Sequence, residues 1–122
     1  MKRVLLDEGV PKQVGDYLPG HEVTTVPRKG WASVKNGKLL ALIEEAGFGA
    51  FITADKNLES QQSLHGLPFG ILLLSTNHWP SMKPHLEQIA DALDHCEAGT
   101  ILKVDCGSFV PRRMRKPIPG SP

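Results

Sequence analysis

Arg3-Val4-Leu5-Leu6-Asp7-Glu8-Gly9-Val10-Pro11 is the stretch from which the fold of this chain can be read. Val4 to Leu6 form an apolar run without polar alternation, the pattern of a strand buried on both faces. Two carboxylates follow at once, and Gly9 and Pro11 then end the strand and open a helix. A first strand covered on both sides belongs in the middle of its sheet. In an open parallel sheet ligands bind outside the carboxyl ends of the strands, which is where Asp7 and Glu8 fall.

Working outward, Pro11 to Leu18 reads as a short helix with Val10, Val14 and Leu18 on one face, stopped by Pro19-Gly20. His21 to Val26 is rich in β-branched residues and gives a second strand, followed by a loop through Pro27 and Trp31. Asn36-Gly37 is placed to cap a helix over 38–46, where Leu39, Leu42, Ile43 and Ala46 share a face and Gly47 ends it. Ala50 to Ala54 is a third strand, running into Asp55-Lys56-Asn57, and a short helix is expected over 58–64. Gly70 to Ser75 is the most apolar strand, with Asn77 to Pro80 read as a loop. Pro84 suits a first helical residue, Leu86, Ile89, Ala90, Leu93 and Cys96 continue the helical spacing, and Thr100 to Val104 is a fifth strand.

Strands and helices alternate throughout, so the expected fold is α/β: three layers around a doubly wound, mainly parallel five-stranded sheet. The natural strand order is 2-1-3-4-5, with its switch point between strands one and three. Asp7 ends the first of these and Asp55 the third, so the two acids are expected to meet where a ligand binds.

At 122 residues the chain suits one domain, read as residues 1–105 followed by a tail over 106–122. The net charge is only +1, but the tail carries Arg112, Arg113, Arg115 and Lys116 with no acid. The preceding body therefore holds 10 basic against 13 acidic residues, a net −3. With four of the chain's prolines and no apolar periodicity, the tail reads as disordered, and its cations suit RNA or an acidic partner. Lys2 and Arg3 are followed by too few apolar residues for a secretory leader, and no apolar run nears the ~20 residues that cross a bilayer. Cys96 and Cys106 match no metal motif and make no disulfide framework, which favours a reduced, cytoplasmic protein without membrane contact.

Asp7, Glu8 and Asp55 form the chemistry-bearing cluster, with Asn36, Asn57 and Ser75 or Thr76 as polar neighbours. Oxygen donors of this kind suit Mg²⁺ or Mn²⁺ rather than zinc, and the five histidines show no zinc spacing. A cation held by carboxylates polarises a phosphate and lowers the pKa of a bound water, the requirements of phosphodiester hydrolysis. Trp31 and Trp79 flank loops near this end, as nucleic-acid stacking groups or as packing residues. Neither a phosphate loop nor a GxGxxG motif is present.

The opening Leu5-Leu6-Asp7-Glu8-Gly9-Val10-Pro11 and the later FITADKNLESQQSL of residues 51–64 resemble the short PIN-like proteins often encoded within bacterial toxin–antitoxin pairs. The resemblance spans residues 3–105. It implies a metal-dependent ribonuclease in which clustered acids bind Mg²⁺ or Mn²⁺ at the carboxyl ends of a parallel sheet. On it, Asp7 and Asp55 are the metal-binding and catalytic acids, with Glu8 a further catalytic candidate and Lys56 the basic residue that follows the second acid. Asn36 and Asn57 stand where related sequences often carry Asp, and with Lys56 and Ser75 they are left to support the acids or bind substrate. Trp31, Trp79, Arg112, Arg113 and Arg115 are the candidate nucleic-acid contacts. The implied partners are an RNA substrate and a cognate antitoxin protein, with a homodimer left open. Two readings compete. One is a receiver-like phospho-acceptor domain, for which Ser75, Thr76 and Lys103 nearly fit; the other is a PIN-like binding module without turnover.

Overall fold

The side chains of Val4, Leu5 and Leu6 are all fully buried, Val4 and Leu6 in one hydrophobic cluster and Leu5 in another. That split is what an apolar run without alternation demands: β1 (Arg3–Leu6) faces a helical layer on each side. The structure is a computed structural model and describes residues 2–58, 64 and 66–106. The helix expected over 58–64 and the tail from residue 107 onward lie outside the described residues, apart from Leu58 and Leu64, both buried.

Four further strands complete the sheet: β2 (Glu22–Thr25), β3 (Ala50–Thr53), β4 (Gly70–Leu74) and β5 (Ile101–Val104). All pairings are parallel and the order is β2-β1-β3-β4-β5, as the sequence implies. One face is covered by α1 (Asn36–Ala46), whose Leu39, Leu40 and Ile43 pack with Leu5, Phe51 and Ile71. The other carries a 3-10 helix (Lys12–Tyr17), α2 (Trp79–Met82) and α3 (Leu86–Asp94), with Val14, Met82, Ile89 and Leu93 packed on Val4, Leu6, Ile52 and Leu72.

The departures from the sequence reading are local. Residues 12–17 wind as a 3-10 helix. Gly15 lies so close to β2 that a Cβ there would be 3.1 Å from Val23 Cγ1. Asn36 does not cap α1 but begins it, because the Lys35 carbonyl already accepts the Leu39 N–H at 2.8 Å. Trp79 and Pro80 open α2 rather than forming a loop, since a proline in the first turn has no N–H to leave unpaired. Pro84 lies inside a 3-10 link (Lys83–His85) joining α2 to α3, where its missing N–H interrupts the α pattern.

The amino end of the sheet is tied by His21. Its Nδ1 accepts the Lys2 N–H at 3.0 Å, which leaves Nε2 as the donor to Asp94 Oδ1 at 3.1 Å. Cys96 and Cys106 are free and buried, and burial pushes both thiols above the usual cysteine range. No described helix is long and apolar enough to cross a membrane.

Gly70 opens β4 with the tightest approach in the sheet: a Cβ there would meet Cys96 Sγ at 2.6 Å, Glu97 O at 2.7 Å and Cys96 O at 2.9 Å. Two of these are backbone atoms that cannot rotate away. Gly70→Ala is therefore expected to cost about 3 kcal/mol or more, at the upper end of overpacking. Gly49→Ala, whose Cβ would meet nothing nearer than 3.6 Å, should cost far less. Urea unfolding of the two variants against wild type checks the difference.

Candidate functional site

Asp7 is the first residue past β1, and its N–H still pairs with the Ile52 carbonyl of β3 at 2.9 Å. The strand ladder thus runs one residue beyond the strand and delivers the Asp7 carboxylate to the carboxyl end of β3. There it meets Thr53, which is fully buried. A buried hydroxyl must be satisfied. Thr53 Oγ1 donates to Asp7 Oδ2 at 2.7 Å and accepts the Asp55 N–H at 3.1 Å. One side chain therefore links the two acids picked out by the sequence, through a charge-assisted bond on one side and a backbone bond on the other.

The remaining carboxylate oxygens shape the adjoining turns. Asp55 Oδ1 accepts the Asn57 N–H at 3.0 Å, an Asx turn that fixes the χ1 direction of the acid. Asp7 Oδ1 accepts the Glu8 N–H at 2.8 Å. Glu8 in turn reaches across to the loop before α1, where its Oε1 accepts the Ser33 N–H at 3.0 Å. Ser33 has φ 70°, the sole described non-glycine residue in the left-handed region, so Glu8 holds a strained turn in place. A Cβ on Gly9 would lie 3.7 Å from Asn77 Nδ2, which shows how closely the loops after β1 and β4 approach.

The other candidates divide by location. Lys56 and Asn57 are exposed beside Asp55. Asn36 starts α1, at the end of the loop that Glu8 holds. Ser75 is buried, its N–H donating to the Val104 carbonyl at 3.1 Å and its Oγ accepting the Cys106 N–H at 2.7 Å. Thr76 Oγ1 accepts the His78 N–H at 3.0 Å. Lys103 is exposed within β5, in register with Leu73 rather than beyond the strand end. The hydroxyls and lysine of the phospho-acceptor reading are thus engaged in, or placed for, local structure.

Both tryptophans pack. Trp31 meets Phe48 edge to face with centroids 6.3 Å apart, and Lys29 Nζ lies 5.1 Å from the Trp31 ring centroid. Trp79 lies against Tyr17 at 6.0 Å, and Tyr17 itself is half exposed. Arg112, Arg113 and Arg115 lie outside the described residues.

A groove of about 1000 Å³ opens beside Asp7 and Glu8 between the 3-10 helix and β2. Lys12, Gln13, Thr24, Thr25 and Arg28 are among its lining residues, so cations and hydroxyls lead up to the acids. Among the described residues no three His, Cys, Asp or Glu side chains gather in a set that would cage a metal ion. Asp7 and Asp55 follow the ends of the adjacent strands β1 and β3, joined through the Thr53 hydroxyl to the Asp7 carboxylate and to the Asp55 N–H. No family model, curated protein or solved structure matches the chain.

Thr53 is the site residue that the pattern of acids does not disclose. Its signal is a lone hydroxyl in the otherwise apolar Ala50-Phe51-Ile52-Thr53, immediately before Ala54-Asp55. Thr53→Val keeps the shape but removes both hydrogen bonds, leaving the Asp55 N–H and one Asp7 oxygen without that partner. The expected cost is about 1–3 kcal/mol. Thr53→Ser should recover most of it in thermal or urea unfolding.

Proposed function

We propose that the chain is a PIN-like, divalent-cation-dependent ribonuclease, acting in the cytoplasm as the toxin of a toxin–antitoxin pair. The observation that carries this reading is the Thr53 bridge, which sets two acids from neighbouring parallel strands at one switch point. Nearby carboxylates repel unless a cation or a proton lies between them. Asp7 and Asp55 would hold Mg²⁺ or Mn²⁺, which supplies Lewis-acid polarisation of a phosphate and a water of lowered pKa.

The chain's own residues do the rest. Thr53 orients the Asp7 carboxylate by donating to Oδ2, while the Glu8 N–H donates to Oδ1. The Asx turn does the same for Asp55. Glu8 positions the loop leading into α1 through Ser33 and stands next to the acids as a further carboxylate. Lys12 and Arg28 on the groove walls suit the phosphates of a bound RNA strand, and Lys56 flanks the acids at the β3 end. An antitoxin would act by covering this edge.

One observation favours a second reading, a PIN-like binding module without turnover: among the described residues no three His, Cys, Asp or Glu side chains gather to hold a metal ion. Two carboxylates bind a cation weakly, so the two readings part on measurement. Wild type should melt higher in Mn²⁺, by roughly 5 °C at ten times the Kd, from a stabilisation of about 1.4 kcal/mol. Asp55→Asn and Asp7→Asn should be at least as stable as wild type without metal, because a like charge is gone, and should lose the Mn²⁺ response. Both should lose cleavage of RNA, and Glu8→Gln should lose less. A Mn²⁺ response without cleavage supports the binding module; a response that survives in both Asp variants places the cation elsewhere.

A further inference from the structure

We infer that the free edge of β2 is a self-pairing surface, on which a second copy of this chain docks antiparallel and extends the sheet across a two-fold axis. The inference stands apart from the ribonuclease reading and needs neither metal nor RNA.

The strand's own backbone comes first. β2 pairs only with β1, so its other side is an edge of the sheet. The Glu22 N–H donates to the Lys2 carbonyl and the Val26 N–H to the Leu6 carbonyl, both at 2.9 Å. Alternate residues of a paired strand turn inward, so Thr24 also faces β1, while Val23 and Thr25 turn their backbone groups outward. The Thr25 carbonyl accepts the Lys29 N–H at 3.1 Å. Among the described residues the Val23 N–H and C=O and the Thr25 N–H have no partner. Such groups invite another strand unless the edge is guarded, commonly by a lysine. The opposite edge, β5, carries the exposed Lys103 within it. β2 carries Val23, Thr24 and Thr25 instead, β-branched residues that favour pairing.

Charge chooses the occupant. The 3-10 helix runs from the end of β1 back to the start of β2, so Lys12 stands toward the carboxyl end of β2 and Asp16 toward its amino end. The strand repeats that polarity, with Glu22 at its amino end and Arg28 just past its carboxyl end. All four side chains are exposed, and none has an ion-pair partner among the described residues. Asp7 and Glu8 lie one strand further in, engaged by Thr53 and Ser33. An edge that is acidic at one end and basic at the other complements itself antiparallel and repels itself parallel.

An antiparallel register centred on Thr24 sets Val23 opposite Thr25 of the second copy, and the reverse, so the outward groups exchange hydrogen bonds in pairs. Thr24 then faces its own counterpart, a favourable cross-strand pair. The two-fold axis stands perpendicular to the sheet, which keeps like faces on one side. Asp16 of one copy lies across the seam from Lys12 of the other, and Glu22 from the turn that holds Arg28. Self-pairing thus competes with any polyanion for Lys12 and Arg28.

The test follows the full chain by sedimentation equilibrium up to millimolar protein, beside two double variants. Asp16→Lys with Glu22→Lys makes both ends of the edge basic; Lys12→Glu with Arg28→Glu makes both acidic. Wild type should form dimers that weaken as salt rises from about 0.1 to 1 M, where the screening length falls from ~10 to ~3 Å. Each variant alone should associate at least about tenfold more weakly, and an equimolar mixture of the two should recover a heterodimer. Amide hydrogen exchange on wild type needs no variant. The Val23 and Thr25 amides should be protected at millimolar protein and lose that protection on dilution, while Thr24, bonded to β1, does not change. A wild type that stays monomeric at millimolar protein overturns the inference. So does a dimer equally strong in both variants, a mixture that stays monomeric while wild type pairs, or concentration-dependent protection that leaves Val23 and Thr25 untouched. None of these outcomes bears on Mn²⁺ binding or RNA cleavage, by which the ribonuclease reading is judged separately.

Discussion

The hydrogen bond from the Asp7 amide to the Ile52 carbonyl carries the β1–β3 ladder one step past the strand, and the geometry of the carboxyl edge depends on it. A backbone bond at a sheet's core is not adjustable: it fixes where the Asp7 carboxylate leaves the sheet. Thr53, opposite it, is buried too deeply to reach water and so must find its partners inside. Those partners are the Asp7 carboxylate and the Asp55 amide. Asp7 and Asp55, far apart in sequence, thus become parts of one network through Thr53.

That network also limits what each acid can do. Asp7 spends one oxygen on the Glu8 amide and the other on Thr53, so it is held in one orientation before any ligand arrives. Glu8 turns outward to Ser33 and stabilises a loop whose backbone would otherwise avoid φ 70°. The adjacent carboxylates Asp7 and Glu8 therefore differ in function: the first faces the β3 end, the second organises the approach to α1. Farther along the same carboxyl end, Ser75 and Cys106 join the ends of β4 and β5. The groove beside Asp7 is built from the near edge, where the 3-10 helix stands close to β2 because Gly15 has no Cβ.

The strand order was legible because Val4 to Leu6 and Ile71 to Leu74 are apolar at every position, which only strands covered on both faces tolerate. The switch point then followed from the alternation of elements, and with it the meeting of the β1 and β3 ends. Helix details were less legible. Asn36 carries a capping side chain, yet the backbone enters the helix at that residue, and propensity says nothing about where a tethered loop arrives. Trp79-Pro80 resembles loop chemistry and starts a helix, because the same proline suits both. Thr53 escaped because a threonine ending a strand is ordinary by propensity, and its role appears only when two strands lie side by side. Ser75, an apparent neighbour of the acids, is spent on the Cys106 amide, a long-range bond that no local pattern encodes.

The most direct measurement is paramagnetic broadening of the backbone amide resonances on adding substoichiometric Mn²⁺ to the isotopically labelled full chain. A cation held by Asp7 and Asp55 should broaden the amides of Asp7, Glu8, Thr53, Ala54 and Asp55 first, while those of Lys2, Gly49 and Gly70 at the amino ends of the strands stay sharp. Broadening centred elsewhere, or none at millimolar Mn²⁺, would contradict a cation site at the β1–β3 switch point.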